Sequence, residues 1–538
     1  MATTVILATL QEYLSNPLPI STSSIITSTF LLTAVLIIIK FFYTEDPLHH
    51  VPGPLIARLT PLWLWNLTWR GIECRTITAL HKRYGRVVRI APNEVDISDG
   101  AALQPIYVKN GGFVKSPVYA HYDIDGFQTI FSGMDPVHRA VRAKAVAPVF
   151  AQQAVIRGRE VVLRVVDAAV TELERWKEAA AAASAASDPT PPAVVDILNL
   201  FRSLAIDAVS VYLFGESFNS LNNSNNHNNN NNDTDNNNTN NNNNNNNTRS
   251  RLTATPFVDN FAAGGRFFYL PGWIFNHVDH WAAKFDKNKE RIATSTAIVK
   301  EFATRVVDRS IAEEKEKGKN DPQTYAYTYQ SRLLHAGISR DETIAQVLDV
   351  MFAGTDGVAM TISVLCWHLS QHPDKYKRLH KEILNNPDTD AQSLPYLSAV
   401  VKESLRLSMA NPTRLPRIVP PGGLHVPGLP TAIPAGTSVG LGAYVLHHDP
   451  DVYPQPYEFM PERWLDCTPE MLRNSIPFGM GSRQCIARNF ASAVVWWTAE
   501  ALVRADVLQG LKPVVGVDIE IMEWFNAKVI AGKIELHW

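Results

Sequence analysis

The chain has 538 residues, 46% of them hydrophobic, and a formal net charge of −2. It is long enough for a large core and exceeds the usual size of one compact domain, and its charge balance gives no basic footprint for nucleic acid. Its four cysteines, Cys74, Cys366, Cys467 and Cys485, have no paired or metal-finger spacing, which argues against a disulfide framework and for a reducing, cytosol-facing compartment.

The N-terminus reads as a membrane anchor. The run SIITSTFLLTAVLIII, residues 24–39, is uncharged, and Phe41, Phe42 and Tyr43 extend it past Lys40. Counting back to Pro17 gives enough uncharged length for a spanning helix of roughly 20 residues. Neither a basic start nor a small-residue cleavage site marks a secretory signal. Lys40, Arg58 and Arg70 follow the run and no Lys or Arg precedes it. The positive-inside rule then places residues 1–23 in the lumen, a single span at 24–43, and the rest in the cytoplasm. VPGP, residues 51–54, ends a stiff proline hinge over 44–54. Residues 55–538 form the globular body.

ITALHKRYG, residues 77–85, reads as an amphipathic helix ending at Gly85, and VVRIAPNEVDIS, residues 87–98, as a hairpin around Pro92–Asn93. Residues 136–175 and 193–213 read as helical, and AAAAASAAS, residues 179–187, as a helix tail or linker. In residues 222–247, 20 of 26 are Asn, a composition that cannot bury a core and reads as a disordered surface insertion. Helix resumes at 277–317, followed by a long apolar helix at 341–370 and helices at 373–385 and 393–409. A Pro/Gly-rich strand region, 412–445, precedes coil and a final helix starting at Cys485. The fold class is mainly α with small β-sheets. Gly422–Gly423 and Ala263–Gly264–Gly265 are isolated glycines, not phosphate loops.

Several stretches carry candidate chemistry. His138 and Arg142 are spaced i, i+4 in DPVHRAVRAK. AGTD, residues 353–356, puts Asp356 on an otherwise apolar helix, which is costly unless the acid is paired or used. KESLR places Glu403 and Arg406 on one helix face, FMPERW adds Arg463, and RLPRIVPPGG adds Arg417. The most informative stretch is PFGMGSRQCIARNF, residues 477–490. A lone Cys is a nucleophile, an iron ligand or a buried thiol. Here Gly479 and Gly481 permit left-handed backbone and close approach of a flat ligand. Arg483 adds positive charge, and the helix N-terminus at Cys485 would stabilise a thiolate.

Phe478-x-x-Gly481-x-Arg483-x-Cys485 resembles the haem-binding loop of the cytochrome P450 family, and the other motifs follow in the family's order. The resemblance covers the whole chain, anchor included, and implies the cytochrome P450 fold over 55–538. The family's Gly two residues after the Cys is Ala487 here. The resemblance makes Cys485 the proximal ligand of haem b (iron protoporphyrin IX), a thiolate whose electron donation favours O–O cleavage. Phe478 and Gly481 belong to the same cofactor loop. His138, Arg142, Arg417 and Arg483 are its propionate partners, and Glu403, Arg406 and Arg463 a structural charge network behind the haem.

The long helix departs from the family. AGTD resembles the oxygen-binding segment, in which a mid-helix Gly lets the helix deform, but the Thr that follows the acid is replaced by Gly357. Three readings stay open: Asp356, water and Thr355 deliver protons; the substrate supplies a hydroxyl; or the protein rearranges an already oxidised substrate. Val350, Ala353 and Gly354 would roof an apolar pocket, with residues 113–131, 409–415 and Trp524–Phe525 around it. LFGESFNSL, AAGGRFFYLPGWIF and FVKSPVY look similar to filamentous-fungal enzymes of secondary metabolism. The implied activity is O2-dependent oxidation of a hydrophobic small molecule. Electrons would come from a separate NADPH–cytochrome P450 reductase at the endoplasmic reticulum membrane, docked near Arg139, Lys144, Arg473 and Arg488. The alternatives are a haem-thiolate isomerase or dehydratase acting without a reductase, and a non-catalytic haem sensor.

Overall fold

One helix organises the chain. In the computed structural model, residues 28–30, 32–33, 46–185, 194–221, 255–285, 289–317, 328–516 and 518–538 are described. Most of the expected anchor at 24–43 and the whole Asn-rich tract at 222–247 lie outside them. The helices that matter below are α1 (Leu55–Leu59), α2 (Leu62–Trp69), α3 (Glu73–Tyr84), α4 (Pro136–Val146), α5 (Arg159–Ala185), α6 (Ile197–Phe214) and α7 (Thr255–Gly264). They continue with α8 (Gly272–Lys284), α9 (Lys289–Lys317), α10 (Arg340–Gln371), α11 (Pro373–Asn385), α12 (Pro395–Leu407) and α13 (Arg488–Arg504).

Helix α10 starts at a side-chain cap: the Ser339 side chain accepts from the Glu342 N–H, and Asp341 and Glu342 sit in the first turn. It ends where Pro373 opens α11. Along its length α10 is buried on nearly every side, so it runs through the core rather than over it. Gly354 explains its closest neighbour: a Cβ there would lie 2.5 Å from Val209 Cγ2 on α6. The glycine lets two helices approach, and α10 remains one continuous helix across it. Both α6 and α10 are long and apolar enough to cross a membrane, but 83% of each such window is buried inside the protein. Their apolar faces are therefore satisfied by packing.

Among the described residues the strands make three small sheets. The largest has five strands in the order β1-β2-β6-β5-β3, where β1 is Val87–Ala91, β2 Glu94–Ile97, β3 Val114–Lys115, β5 Arg417–Ile418 and β6 Ser438–Gly440. The β1–β2 hairpin turns at the expected Pro92–Asn93, and β2 pairs with β6 in parallel. The antiparallel β3–β5 pair sets Lys115 opposite Arg417. Strand β4 (Val194–Asp196) pairs with the C-terminal Glu535–His537 strand.

Several boundaries differ from the pattern reading. The expected helix over 136–175 is interrupted by a 3₁₀ turn containing Pro148 and again at Gly158. The stretch at 193–213 begins as strand, and the Asp196 side chain then caps α6 by accepting from the Asn199 N–H. Within 412–445 the only strands are β5 and β6, with two isolated bridges, and a short helix begins at Ala443. The last helix starts at Arg488, not at Cys485.

Behind the last helices lies a buried charge network. Arg406 donates to both Glu403 oxygens at 2.9 and 2.7 Å, and to the carbonyls of His447, Pro456 and Glu458 at 2.8, 2.6 and 3.2 Å. All five guanidinium N–H donors are thus used. Glu403 also accepts from the Met460 N–H, Arg463 Nε and Trp464 Nε1. Burial alone would raise the Glu403 carboxyl, but these partners hold it below its usual range. Removing the carboxylate would leave Arg406 buried with no counter-charge. Glu403→Ala is expected to cost about 3–5 kcal/mol in denaturant unfolding, and a loss below roughly 1 kcal/mol would contradict a network of this strength.

Candidate active site

Cys485 opens onto a cavity of about 300 Å³. The loop beneath it is built by local backbone geometry. The Cys485 N–H donates to the Phe478 carbonyl at 2.9 Å, the Gln484 N–H to Gly481, and the Gly479 N–H to Ile476. Gly479 and Gly481 have φ of +66° and +74°, which L side chains resist. Gly481 has a second reason: its Cβ would fall 1.8 Å from the Tyr107 carbonyl oxygen. Tyr107 is itself anchored, since its hydroxyl donates to the Leu415 carbonyl and accepts from the Leu441 N–H, both at 2.9 Å. Cys485 is exposed only in the sense that it faces the cavity; closely packed protein lies around it. Burial pushes its thiol up, while the Ala487 N–H and the Arg488 charge pull the other way. Although α13 starts three residues later, its first turn still reaches the sulfur.

The loop is tied to the charge network by His447, which pattern reading did not single out. Its Nδ1 meets the Arg406 carbonyl at 3.1 Å, and its Nε2 accepts from the Ile476 N–H at 3.0 Å. The second bond requires an unprotonated Nε2, so Nδ1 carries the hydrogen. Burial, then the Arg406 charge, pushes this imidazole down to about 3 and keeps it neutral.

Four cations line the cavity: Lys115, Arg139, Arg417 and Arg483. The β3–β5 register places two of them directly opposite each other, an arrangement that is unfavourable by itself. Arg483 donates to the Gly133 and Met134 carbonyls at 2.7 and 3.0 Å. Burial and the nearby Arg139 and Arg417 push it down to about 10. Lys115, buried over the Tyr119 ring at 3.9 Å, is held well below its usual range by burial and then by the three arginines. Asp349 is the acid facing Lys115, and burial pushes it up to about 6. The cluster is thus short of negative charge and suited to an anionic ligand edge.

This differs from the motif reading at two places. Arg142 forms a two-pronged ion pair with Glu342, its Nη2 at 2.9 Å, and does not line the cavity. His138 does not line it either, although its Nδ1 is buried without a partner. Lys115 and Arg139 take the lining positions instead. Arg139 was expected among surface cations, but its Nε is held by the Ile130 carbonyl and its side chain reaches the cavity.

To the same cavity α10 contributes Val350, Ala353, Gly354, Asp356 and Gly357. Asp356 is held by a buried arginine from α6: Arg202 Nε and Nη2 lie 2.9 and 2.8 Å from Oδ1. Arg202 also reaches Asp259 at 3.3 Å, and Asp259 lies 3.6 Å from Lys528 near the surface. Thr355 points elsewhere: it does not line the cavity, and its hydroxyl donates to the Met351 carbonyl at 2.6 Å. Phe525 is on the wall and Trp524 is not.

A single sulfur defines the donor set. Among the described residues no group of three or more His, Cys, Asp or Glu could hold a metal ion. A metal at Cys485 must therefore bring its other ligands in an organic ring. The flat approach allowed by the glycines, the apolar walls and the cation cluster for its carboxylates fit haem.

Residues 57–495 match the family model for cytochrome P450. The chain is 35% identical over 522 residues to the cytochrome P450 monooxygenase mfmF of Annulohypoxylon moriforme, covering 94% of this chain and 98% of that one. It is 27% identical to aneF of Aspergillus aculeatus, covering 83% and 85%. It is also 27% identical to BOT1 of Botryotinia fuckeliana, covering 88% and 87%. Both of these are named cytochrome P450 monooxygenases. The chain belongs to the cytochrome P450 family.

The two loop glycines predict different sensitivities. A Cβ at Gly479 would meet only the Leu415 side chain, at 3.5 Å, whereas one at Gly481 overlaps backbone. Gly479→Ala should cost about 1 kcal/mol and Gly481→Ala clearly more, about 3 kcal/mol. Denaturant unfolding of the two variants checks this, and equal losses would refute the close approach to Tyr107.

Proposed function

We propose that the protein is a membrane-anchored haem-thiolate monooxygenase that inserts one oxygen atom from O2 into a hydrophobic small molecule. The observation that carries this is the lone Cys485 thiol facing a cavity whose far wall holds an acid and whose edge holds four cations. Haem b held there supplies the iron chemistry of oxygen activation. Cys485 would hold its iron, with Phe478 and Gly481 shaping the loop that would take the ring. Arg417, Arg483, Lys115 and Arg139 meet its carboxylates, while Glu403, Arg406 and Arg463 keep the loop in place through His447.

The remaining residues handle the proton and the substrate. Asp356 is the proton-holding group on the cavity wall, and Arg202 positions its carboxylate. The Asp356–Arg202–Asp259–Lys528 line ties the cavity wall to the surface; its guanidinium stays charged, so protons reach the Asp356 carboxylate through water beside this line. Apolar walls exclude water from the rest of the cavity. Electrons come from NADPH through a separate cytochrome P450 reductase, whose acidic face meets exposed Lys144, Arg473 and Arg488. The substrate is a fungal secondary metabolite. A single span at 24–43 holds the enzyme at the endoplasmic reticulum, with the body in the cytoplasm. This placement is supported by the exposed apolar side chains of Leu55, Leu62, Trp69, Trp273 and Trp281 on α1, α2 and α8.

Two experiments test this reading. Reduced, carbon monoxide-treated membranes of the full chain should show a long-wavelength thiolate band that Cys485→Ser abolishes. A preparation without haem, or a band that survives the substitution, overturns the assignment. Arg202→Leu should keep that band but lower reductase-driven product formation by roughly 10²-fold, with Arg202→Lys recovering part of it. Undiminished turnover in Arg202→Leu would remove Arg202 and Asp356 from the proton route.

A further inference from the structure

We propose that the substrate carries a hydroxyl group, and that this hydroxyl seats in a notch over Gly357 beside the Thr361–Ser408 pair. The inference rests on the monooxygenase reading and specifies the substrate class of the same site.

The notch follows from missing atoms on α10. A Cβ at Gly357 would meet only Ala410 Cβ, at 3.9 Å, so the wall is open where its neighbours are filled. Gly354, one turn earlier, is closed by Val209. Asp356, Gly357, Thr361, Ser408 and Ala410 all line the cavity. Between Ser408 and Ala410, Met409 is a non-glycine residue with φ of +47°, a costly backbone state that recurs at ligand sites.

The polar atoms around the notch have a definite sense. Thr361 Oγ1 lies 2.8 Å from the Gly357 carbonyl and 3.3 Å from Ser408 Oγ. Ser408 Oγ lies 3.3 Å from the Leu405 carbonyl. Two hydroxyl protons therefore have three protein acceptors, and the shortest contact takes the Thr361 proton. Both protons are engaged with protein, while lone pairs remain on the oxygens. The pair accepts a hydrogen bond without losing one but cannot donate without breaking one. A ketone or ether oxygen placed there is left unsatisfied, and a protonated amine brings an uncompensated charge into an apolar cavity. An alcohol or phenol satisfies the site. Its oxygen then stands on the face of the helix that supplies no side chain at position 357.

The rest of the wall suits a flat skeleton. Phe261 and Phe352 stack at 3.7 Å, and Phe131 and Phe525 pack at 5.8 Å, all four lining the cavity. The probes are therefore 2-naphthol and its methyl ether, 2-methoxynaphthalene, titrated by calorimetry into the haem-loaded full chain. Wild type should bind 2-naphthol about fivefold more tightly, the size of one net hydrogen bond. Thr361→Val and Ser408→Ala should bring the ratio toward one, Thr361→Ser should keep it, and Gly357→Thr should abolish it by filling the notch. A ratio near one in wild type overturns the inference, as does a preference that survives both Thr361→Val and Ser408→Ala. The carbon monoxide band of the same preparations separates the two levels. A retained band with no hydroxyl preference removes only the notch assignment, whereas a missing wild-type band removes the haem-thiolate reading beneath it.

Discussion

The site depends on a guanidinium that never reaches water. Arg406 is fully buried, and such a cation persists only when every N–H is used and its charge is answered. Glu403 answers the charge, and three backbone carbonyls take the remaining donors. The carbonyl of His447 ends the short helix Ala443–His447, and those of Pro456 and Glu458 lie in a stretch without helix or strand, so the arginine fixes loop positions that no helix or strand would fix. The Arg406 carbonyl then orients His447, and His447 holds the Ile476 N–H at the base of the cysteine loop. The cysteine is thus located by a chain of buried polar contacts. The direct hydrogen bonds of its loop are only the last link.

A second constraint acts on the opposite edge. Strand pairing places Lys115 against Arg417, and Arg139 and Arg483 close in beside them. In a chain with a net charge of −2 this is a local concentration rather than a global trend. The protein alone gives it little relief: Arg483 and Lys115 are both pushed down from their usual ranges. The fold stores an electrostatic cost at this edge that an anion would remove, which couples ligand binding to stability. The same logic explains why Arg142 is a poor member of the cluster, since Glu342 already neutralises it.

What was legible in the sequence was what lies close along the chain. The loop around Cys485 and the Glu403–Arg406 pair are short-range patterns, and Arg463 stood out through its own motif. The long helix was equally legible, because its apolar run and the Pro373 that follows it mark it. The residues missed are joined across long separations: Arg202 to Asp356 through helix packing, Lys115 to Arg417 through strand register, and His447 to Ile476 through a neutral imidazole. Lys115 lay in the 113–131 stretch expected around the pocket but was not singled out as a cation. Arg139 was noted as a surface charge, although it lies one residue from His138 and three from Arg142. One helical turn separates Arg142, which the motif points to, from Arg139, which lines the cavity, because spacing identifies a face only when the opposing surface is known.

The two glycines of α10 illustrate the same limit. A glycine in the middle of a helix invites a conformational explanation, yet α10 runs unbroken through both positions. Gly354 is explained by Val209 pressing on it from α6. Gly357 has nothing pressing on it, so close packing cannot be its reason. A helix interior loses roughly 1 kcal/mol by having Gly in place of Ala, and Ala would fit at 357 without contact closer than 3.9 Å. The cost is therefore set against the open volume itself, beside a carboxylate that Arg202 already holds in place. Room at that position has value only to something that enters the cavity, which is why the glycine bears on the substrate rather than on the fold.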